Sequence, residues 1–316
     1  MKQNNTSLSL VRLFGDLPVL KVRFRMNVAD NAKLPPYTAS AWRGLLGWEI
    51  QRLVCPFDRR PLCKECAVKE HCPYFLLIEK KTPFSGLRES PRGYIIFPAS
   101  SGNMQEITLT LIGSCSRFLP VVLQAFVQGR KTGIGKENYP YELISLSEIL
   151  PDGSIKEMGT DAQKHPGSDG PFPLRDWLNS QSGDTETLRL RFISPLRLRQ
   201  KGKYLDRMDW NFCFSTLVRR LEALHCLFHT GQPLGKERWL EIQQHFQFNG
   251  NVKGKFRWHD LYRYSNPQKR KMPMGGLLGE AEIQSAEPEL RQWFMAARLL
   301  HIGKNASMGL GKVEIF

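Results

Sequence analysis

Three groups of residues in this chain have the types and spacing for chemistry. Residues 299–316 read LLHIGKNASMGLGKVEIF, with Gly303, Gly309 and Gly311 set among Lys304, Asn305, Ser307 and Lys312. Glycine lets a backbone turn tightly and approach a ligand with no Cβ in the way, and exposed amides beside lysines suit phosphate oxygens. Gly-x-Gly ahead of a strand also serves as a plain hairpin turn, so two readings of this stretch stand. The second group is Cys55, Cys63, Cys66 and Cys72, in the order C-x7-C-x2-C-x5-C. Four thiolates around a central C-x-x-C suit tetrahedral structural zinc, ahead of an iron–sulfur cluster. Reduced thiols that never converge are the alternative, and His71 is either a substitute ligand or an exposed side chain. In the third group, residues 256–274, Trp258, Tyr262 and Tyr264 interleave with Arg257, Arg263, Lys269, Arg270 and Lys271. That mixture suits stacking on bases together with phosphate neutralisation.

Composition narrows the partners. The 316 residues are comfortable for two domains, and 41% hydrophobic against 24% charged residues is a globular balance. Lys and Arg number 45 against 30 Asp and Glu, a formal net charge of +15. Such an excess favours a polyanionic partner through counterion release. No apolar run reaches about 18 residues, so neither a membrane span nor a membrane partner is expected. The opening MKQNNTSLSL lacks the apolar core of a signal peptide. Seven cysteines without such a signal point to a reducing compartment, with metal or free thiols rather than disulfides. The expected location is cytoplasmic.

Periodicity supplies the elements that must position these groups. Residues 18–28 (PVLKVRFRMNV) alternate, Val22, Phe24 and Met26 against Lys21, Arg23 and Arg25, which predicts a half-buried strand with a basic outer face. A helix follows from about Thr38, its stripe formed by Trp42, Leu45, Leu46, Ile50, Leu53 and Val54, with Arg43 and Arg52 off it. Strands at residues 94–98 and 106–113, a helix at 118–127 and a glycine–lysine turn into another strand complete a first domain ending near Leu150. Residues 151–186 are rich in Gly, Ser, Asp, Pro and Lys and read as a linker or mobile loop, with His165 exposed and idle.

The second half repeats that order. Residues 187–198 (TLRLRFISPLRL) predict a strand whose basic face carries Arg189 and Arg191, and Arg197, Arg199, Lys201, Lys203 and Arg207 form a basic patch. A helix from Trp210 has Phe214, Leu217, Val218, Leu221, Leu224 and Phe228 on one face. His225 and His229 lie one turn apart there; metal ligation is one reading, and packing near the helix end is preferred. A glycine turn at Gly275, Gly276 and Gly279 leads to a helix opening near Glu287-Pro288. Strand–helix–strand–strand–helix–strand is the ferredoxin-like order. The expected fold is therefore α+β, two tandem ferredoxin-like (RRM-like) domains: residues 1–150 with the cysteine-rich metal-binding loop, and 187–316 with the glycine-rich loop.

Four stretches carry a resemblance: Trp42-Arg43-Gly44-Leu45-Leu46-Gly47 with the cysteines and Cys72-Pro73-Tyr74; Ser194-Pro195-Leu196-Arg197-Leu198; Arg263-Tyr264-Ser265 before Gly275-Gly276; and His301-Ile302-Gly303-Lys304 with Gly309-Leu310-Gly311. Over most of its length the chain resembles the CRISPR repeat-processing endoribonucleases of the RAMP superfamily, the Cas six family. The terminal block is the most specific element, because that family ends in such a loop just before its last strand. The resemblance implies cleavage of a precursor RNA within its repeats, without a catalytic metal. The 2′-hydroxyl beside the scissile phosphate attacks in line and leaves a 2′,3′-cyclic phosphate. A general acid or base, commonly His or Tyr, and a cation over the phosphorane are then needed.

Many relatives carry a histidine in or soon after the first helix, but residues 38–54 hold none. By resemblance His301 ranks first as general acid/base and Tyr37 second, with Arg43 and Lys304 as phosphate-side cations. Loop orientation is the alternative for His301, and packing for Tyr37. Expected RNA contacts are Gly303, Lys304, Asn305, Ser307, Gly309, Gly311, Lys312, Arg197, Arg199, Arg263, Lys269 and Arg270. A second reading is a non-catalytic RNA-binding subunit of a CRISPR effector complex, whose other subunits would be partners beside the repeat RNA. A zinc-stabilised nucleic-acid-binding protein of no nuclease ancestry is the third, and the terminal motif speaks against it.

Overall fold

A short helix, α1 (Leu10–Phe14), precedes the first strand, β1 (Pro18–Val28), whose alternation is kept in space: Val22, Phe24 and Met26 are buried while Arg25 is exposed. The structure is a computed structural model that describes residues 8–57, 62–84, 87, 89–159, 167–180, 186–265 and 269–316. The chain divides into two units, Pro18–Phe172, and Met1–Leu17 together with Pro173–Phe316.

In the first unit β1 is followed by α2 (Ala39–Val54), β2 (Tyr94–Ser101), β3 (Met104–Ile112), α3 (Leu119–Thr132), β4 (Tyr141–Ile149) and β5 (Ile155–Met158). The antiparallel sheet runs β2-β3-β1-β4-β5, and β6 (Phe172–Pro173) adds two residues to it. Trp42 of α2 meets Tyr141 edge-on at 5.1 Å and Phe126 at 6.1 Å, and Phe126 lies 4.3 Å from Phe24 of β1. One aromatic cluster thus ties both helices to the middle of the sheet. Buried Glu49 bridges the helices, accepting from Thr132 at 2.7 Å and from Arg52 at 3.1 Å. The predicted stripe on α2 stops at Ile50: Leu53 is exposed, because the last turn runs on toward the cysteine segment.

The second unit holds α1, α4 (Leu174–Ser180), β7 (Leu188–Leu196), a hairpin of β8 (Arg199–Gln200) and β9 (Lys203–Tyr204), α5 (Trp210–His225) and α6 (Lys236–His245). Then come β10 (Val252–His259), a hairpin of β11 (Tyr262–Ser265) and β12 (Arg270–Pro273), β13 (Gly276–Ile283), α7 (Pro288–Leu300) and β14 (Val313–Ile315). Its sheet runs β10-β13-β7-β14, all antiparallel. Asp209 caps α5 by accepting from Phe212 N at 2.9 Å, and Pro288 opens α7 where its missing N–H costs nothing. Trp293 of α7 is fully buried between Phe214 at 5.6 Å and Phe14 of α1 at 5.9 Å. Among the described residues no helix is long and apolar enough to cross a membrane.

Two expectations from sequence need correction. Residues 10–17 pack with the second unit, not the first, because Phe14 fills the space between α5 and α7. The stretch 151–186 is not simply a linker: β5 pairs with β4, and α4 buries Leu174, Trp177 and Leu178. Both elements are short, and their few apolar residues are outnumbered by the surrounding Gly, Ser and Asp. The strong signals, by contrast, led to the right elements, α5 and α7 above all. Removing the central ring of the first unit is expected to destabilise it heavily. Trp42→Ala should cost about 3–5 kcal/mol, read as a lower denaturant midpoint.

Candidate functional site

The chain beyond β7 forms a joint at which three appendages meet. Ser194, buried, donates to Gly309 O at 2.8 Å and accepts from Lys312 N at 2.8 Å. Gly311 N donates to Pro195 O at 3.1 Å, Ile302 N to Gly311 O at 3.0 Å, and Lys304 N to Arg197 O at 3.0 Å. The glycine-rich loop is therefore stitched to its own strand. Gly303 and Gly311 have φ of +85° and +69°, and a Cβ at either would sit 2.6 Å from Arg197 O or 1.8 Å from Ile302 O. Glycine is required there for internal packing and for the left-handed backbone.

The packing shows where the residues assigned from sequence lie. Gly309 and Gly311 are buried and shape the loop; Gly303, Lys304, Asn305 and Ser307 form its half-buried rim. Lys312 directs its ammonium inward, to Arg298 O at 2.6 Å. Arg197 is only 3% exposed: its Nη1 donates to Pro273 O at 2.8 Å, and its guanidinium lies 4.2 Å over the Tyr204 ring. It clamps the β11–β12 and β8–β9 hairpins to the loop. His301 is 2% exposed, with Nδ1 donating to Leu310 O at 3.2 Å. A buried imidazole tied to a backbone carbonyl fits loop orientation, the alternative role for this residue.

What the joint carries outward is basic and aromatic. Tyr262 and Tyr264 on β11 are 58% and 57% exposed, and Trp258 on β10 and Tyr204 on β9 are also exposed. Around them Arg199, Lys201, Lys203, Lys253, Lys255, Arg257, Lys269 and Arg270 are exposed, while Arg263 is half-buried. An open groove of ≈ 470 Å³ runs over the β7–β13–β10 face, lined among others by Phe192, Lys255, Phe256 and Arg257. The predicted basic face of β7 itself is neutralised, because Arg189 pairs with Glu282 at 2.8 Å and Arg191 with Glu280 at 2.6 Å across to β13.

Sequence reasoning passed over His259. It is exposed at the end of β10 beside Trp258, whose Nε1 donates to Asp260 at 3.0 Å. The alternation VKGKFRWH was the available signal. Other histidines are engaged: His245 with Glu287 at 2.9 Å, and His225 and His229 with Asp16. His71 is exposed beside Cys72, and His165 lies outside the described residues.

The first unit offers a second cluster. Arg43 Nε donates to Tyr94 Oη at 2.9 Å, and Tyr74 Oη donates to Glu79 at 3.1 Å. Burial, with Arg43 close by, holds the Arg92 guanidinium below its ordinary value. Two arginines and two phenols gathered in this way suit an anion, and Arg92, Tyr74 and Tyr94 carried no sequence signal of that role. Burial pushes the Tyr37 phenol well above the usual range, so it is protonated at neutral pH. Cys55, Cys63, Cys66 and Cys72 line one cavity of ≈ 30 Å³, and burial, Glu79 and the other three thiols all raise Cys63. A tetrahedral tetrathiolate site needs sulfurs about 3.8 Å apart. The group with ligand atoms mutually within 4.8 Å is instead Asp16, His225 and His229, among the described residues.

Residues 190–313 match the family model described as CRISPR-associated endoribonuclease Cas6, and residues 17–167 match one described as an N-terminal domain. Among solved structures the chain is similar to a Cas6 product complex, with 14% identity, TM-score 0.57, and 95% of this chain and 99% of that one covered. It is similar to a Thermus thermophilus Cas6 at 15% identity and TM-score 0.53, covering 95% and 99%. A partial Cas6-RT-Cas1–Cas2 complex matches at 11% identity and TM-score 0.58, over 98% of this chain and 47% of that one. Likeness at such identities is one of fold. No curated protein sequence matches the chain.

Tyr262→Ala and Tyr264→Ala should each weaken single-stranded RNA binding by about 1–3 kcal/mol if a base stacks there, with melting temperature unchanged. Arg197→Lys should do the reverse first, lowering the melting temperature, since an ammonium cannot both stack on Tyr204 and reach Pro273 O as a planar fork does. RNA titration and thermal unfolding of the three variants check this.

Proposed function

We propose that the chain, whose residues 190–313 match the Cas6 model, is a CRISPR-associated endoribonuclease of the Cas6 family that cuts CRISPR precursor RNA within the repeats to release guide RNAs. The observation that carries the substrate class is the exposed set of Tyr262, Tyr264, Trp258 and surrounding Lys and Arg on the unit that matches the Cas6 model. Each unit is read as a ferredoxin-like domain. The orders β2-β3-β1-β4 and β10-β13-β7-β14 support this, as both set first and third strands side by side in the centre.

In the proposed reaction the 2′-hydroxyl attacks the adjacent phosphorus, the 5′-oxygen leaves, and a 2′,3′-cyclic phosphate remains, with no catalytic metal. The step needs a proton acceptor, a proton donor and positive charge at the phosphorane. In the first unit Arg43 and Arg92 suit the charge, and the protonated Tyr37 phenol suits a donor. As an alternative to Tyr37, His259 in the second unit takes the place first given to His301, because its imidazole is exposed on the basic, aromatic surface.

We also propose that Cys55, Cys63, Cys66 and Cys72 hold a structural zinc ion. Their convergence on one cavity supports this, and the metal would draw the sulfurs together. When bound it would supply a cross-link for a segment with little core of its own. A reducing, cytoplasmic setting, in which thiols stay available to a metal, is part of the proposal. Other CRISPR effector subunits remain proposed partners.

The deciding measurement incubates purified protein with repeat RNA in EDTA and identifies the product ends. Cleavage with a 2′,3′-cyclic phosphate is expected. RNA bound but intact, with or without added metal, would make the chain the non-catalytic RNA-binding subunit. Affinity should fall steeply with salt, because several phosphates are neutralised. Single-turnover cleavage by His259→Ala and by Tyr37→Phe separates the proton-transfer candidates, since loss of a general acid or base slows the step about 10²–10⁴-fold. If both cleave at the parent rate, neither assignment survives. Elemental analysis of the parent and of Cys66→Ser checks the zinc: the variant should hold one zinc ion per chain fewer than the parent.

A further inference from the structure

We infer a second metal site, built from Asp16, His225 and His229, that takes one divalent first-row transition ion such as Zn²⁺. Its three ligand atoms already lie within 4.8 Å of one another. His225 Nε2 stands 2.9 Å from Asp16 Oδ1, and His229 Nε2 stands 3.1 Å from Oδ2. Two atoms each about 2.0–2.2 Å from an ion, at ordinary coordination angles, are about 2.9–3.4 Å apart. Both carboxylate–imidazole separations therefore match edges of a coordination polyhedron, and a small shift of the side chains would centre one ion among all three.

The local fold explains how two residues four apart present the same nitrogen. At His225 helix α5 widens into one π-helical turn, Cys226–Thr230, closed by Gly231 in the left-handed conformation. The two rings pack edge to face at 5.2 Å. Single π turns of this kind recur at functional sites. Phe14 covers His225 at 5.3 Å and holds it in place. The carboxylate comes from the turn after α1, 209 positions away in sequence from His225.

The remaining nitrogen of His225 is also provided for. Thr230 Oγ1 lies 3.2 Å from Nδ1. A carboxylate only accepts, so without metal Nε2 carries the proton and the hydroxyl donates to Nδ1. With metal on Nε2 the proton moves to Nδ1 and the hydroxyl turns to accept it, as a hydroxyl can do either. This is the outer partner that metal-bound imidazoles regularly have. Asp16 is half exposed and His229 partly so, which leaves an open side for entry and for water ligands. Two imidazoles and one carboxylate select transition ions over Mg²⁺ or Ca²⁺. Bound there, the ion clips the α1 turn to the end of α5 within one unit.

The test titrates chelator-treated full-length protein with Co²⁺ alone and follows its visible absorption. A cysteine site produces thiolate charge-transfer bands, and the Asp–His site does not, so the two are read separately. Expected is a Co²⁺ signal without thiolate bands that persists in Cys66→Ser, is lost in His229→Ala and is weakened at least tenfold in Asp16→Asn. Excess Zn²⁺ should raise the melting temperature of Cys66→Ser, and not that of the double variant with His229→Ala. Both altered side chains are at the surface, so the variants should fold, and buried His225 is left alone. Equal Co²⁺ uptake by Cys66→Ser with and without His229→Ala, or no uptake by Cys66→Ser, would reduce the cluster to a hydrogen-bonded triad and overturn the proposal.

Discussion

A guanidinium withdrawn from water has to be stacked and hydrogen-bonded at once, and Arg197 is where this protein meets that demand. Its backbone carbonyl holds Lys304 N, its Nη1 holds Pro273 O, and its plane covers Tyr204. Three segments that carry the exposed cations and aromatics are referred to one side chain. Its Nε finds no partner among the described residues, so the arrangement is not fully satisfied. Removing a partner of such a group leaves the rest exposed to the full desolvation penalty. The joint therefore has little tolerance, and the glycine loop shares that property through Gly303 and Gly311, which admit no Cβ.

The same economy governs charge. A net charge of +15 spread evenly would repel itself over every sheet face. Instead the outward arginines of the central strands meet carboxylates across the sheet: Arg189 with Glu282, Arg191 with Glu280, and Arg23 with Glu106 at 3.4 Å. Exposed pairs of this sort add little stability. Their effect is on the field: neutralised sheet faces leave the hairpins and β10 as the positive surface of the second unit. Phosphates would be drawn to the place where Tyr262 and Tyr264 stand clear of the protein, so attraction and stacking act at one location.

Sequence legibility followed the strength of local signals. The alternation of β1, the stripe of α5 and the Pro-initiated α7 could be read directly, because each repeats its pattern over eleven or more residues. Helices α1 and α4 could not: five and seven residues carry too few periods, and their partners are remote in sequence. Among site residues, the chain announced which types were unusual but not which way they face. Gly311, Arg197 and His301 all belong to the loop system, yet each is buried, a fact set by Pro195 for Gly311, by Pro273 and Tyr204 for Arg197, and by Leu310 for His301. His259 was hidden by the reverse effect, an ordinary residue made available by ending an exposed strand.

The division of the chain follows from the same packing. It leaves one unit at Leu17, builds the other over Pro18–Phe172, and returns at Pro173. The first described residues are thus part of the last unit, and Phe14 is the reason, since Trp293 would otherwise lack one of its two aromatic walls. A boundary drawn from composition alone, in the polar stretch after Leu150, cuts through a sheet, because β5 still pairs with β4 beyond it. Asp16 stands one residue before the crossing point, bonded to two imidazoles at the end of α5. The turn after α1 is thereby fixed by charge as well as by the ring of Phe14, at the position where a loose segment would cost the second unit part of its core.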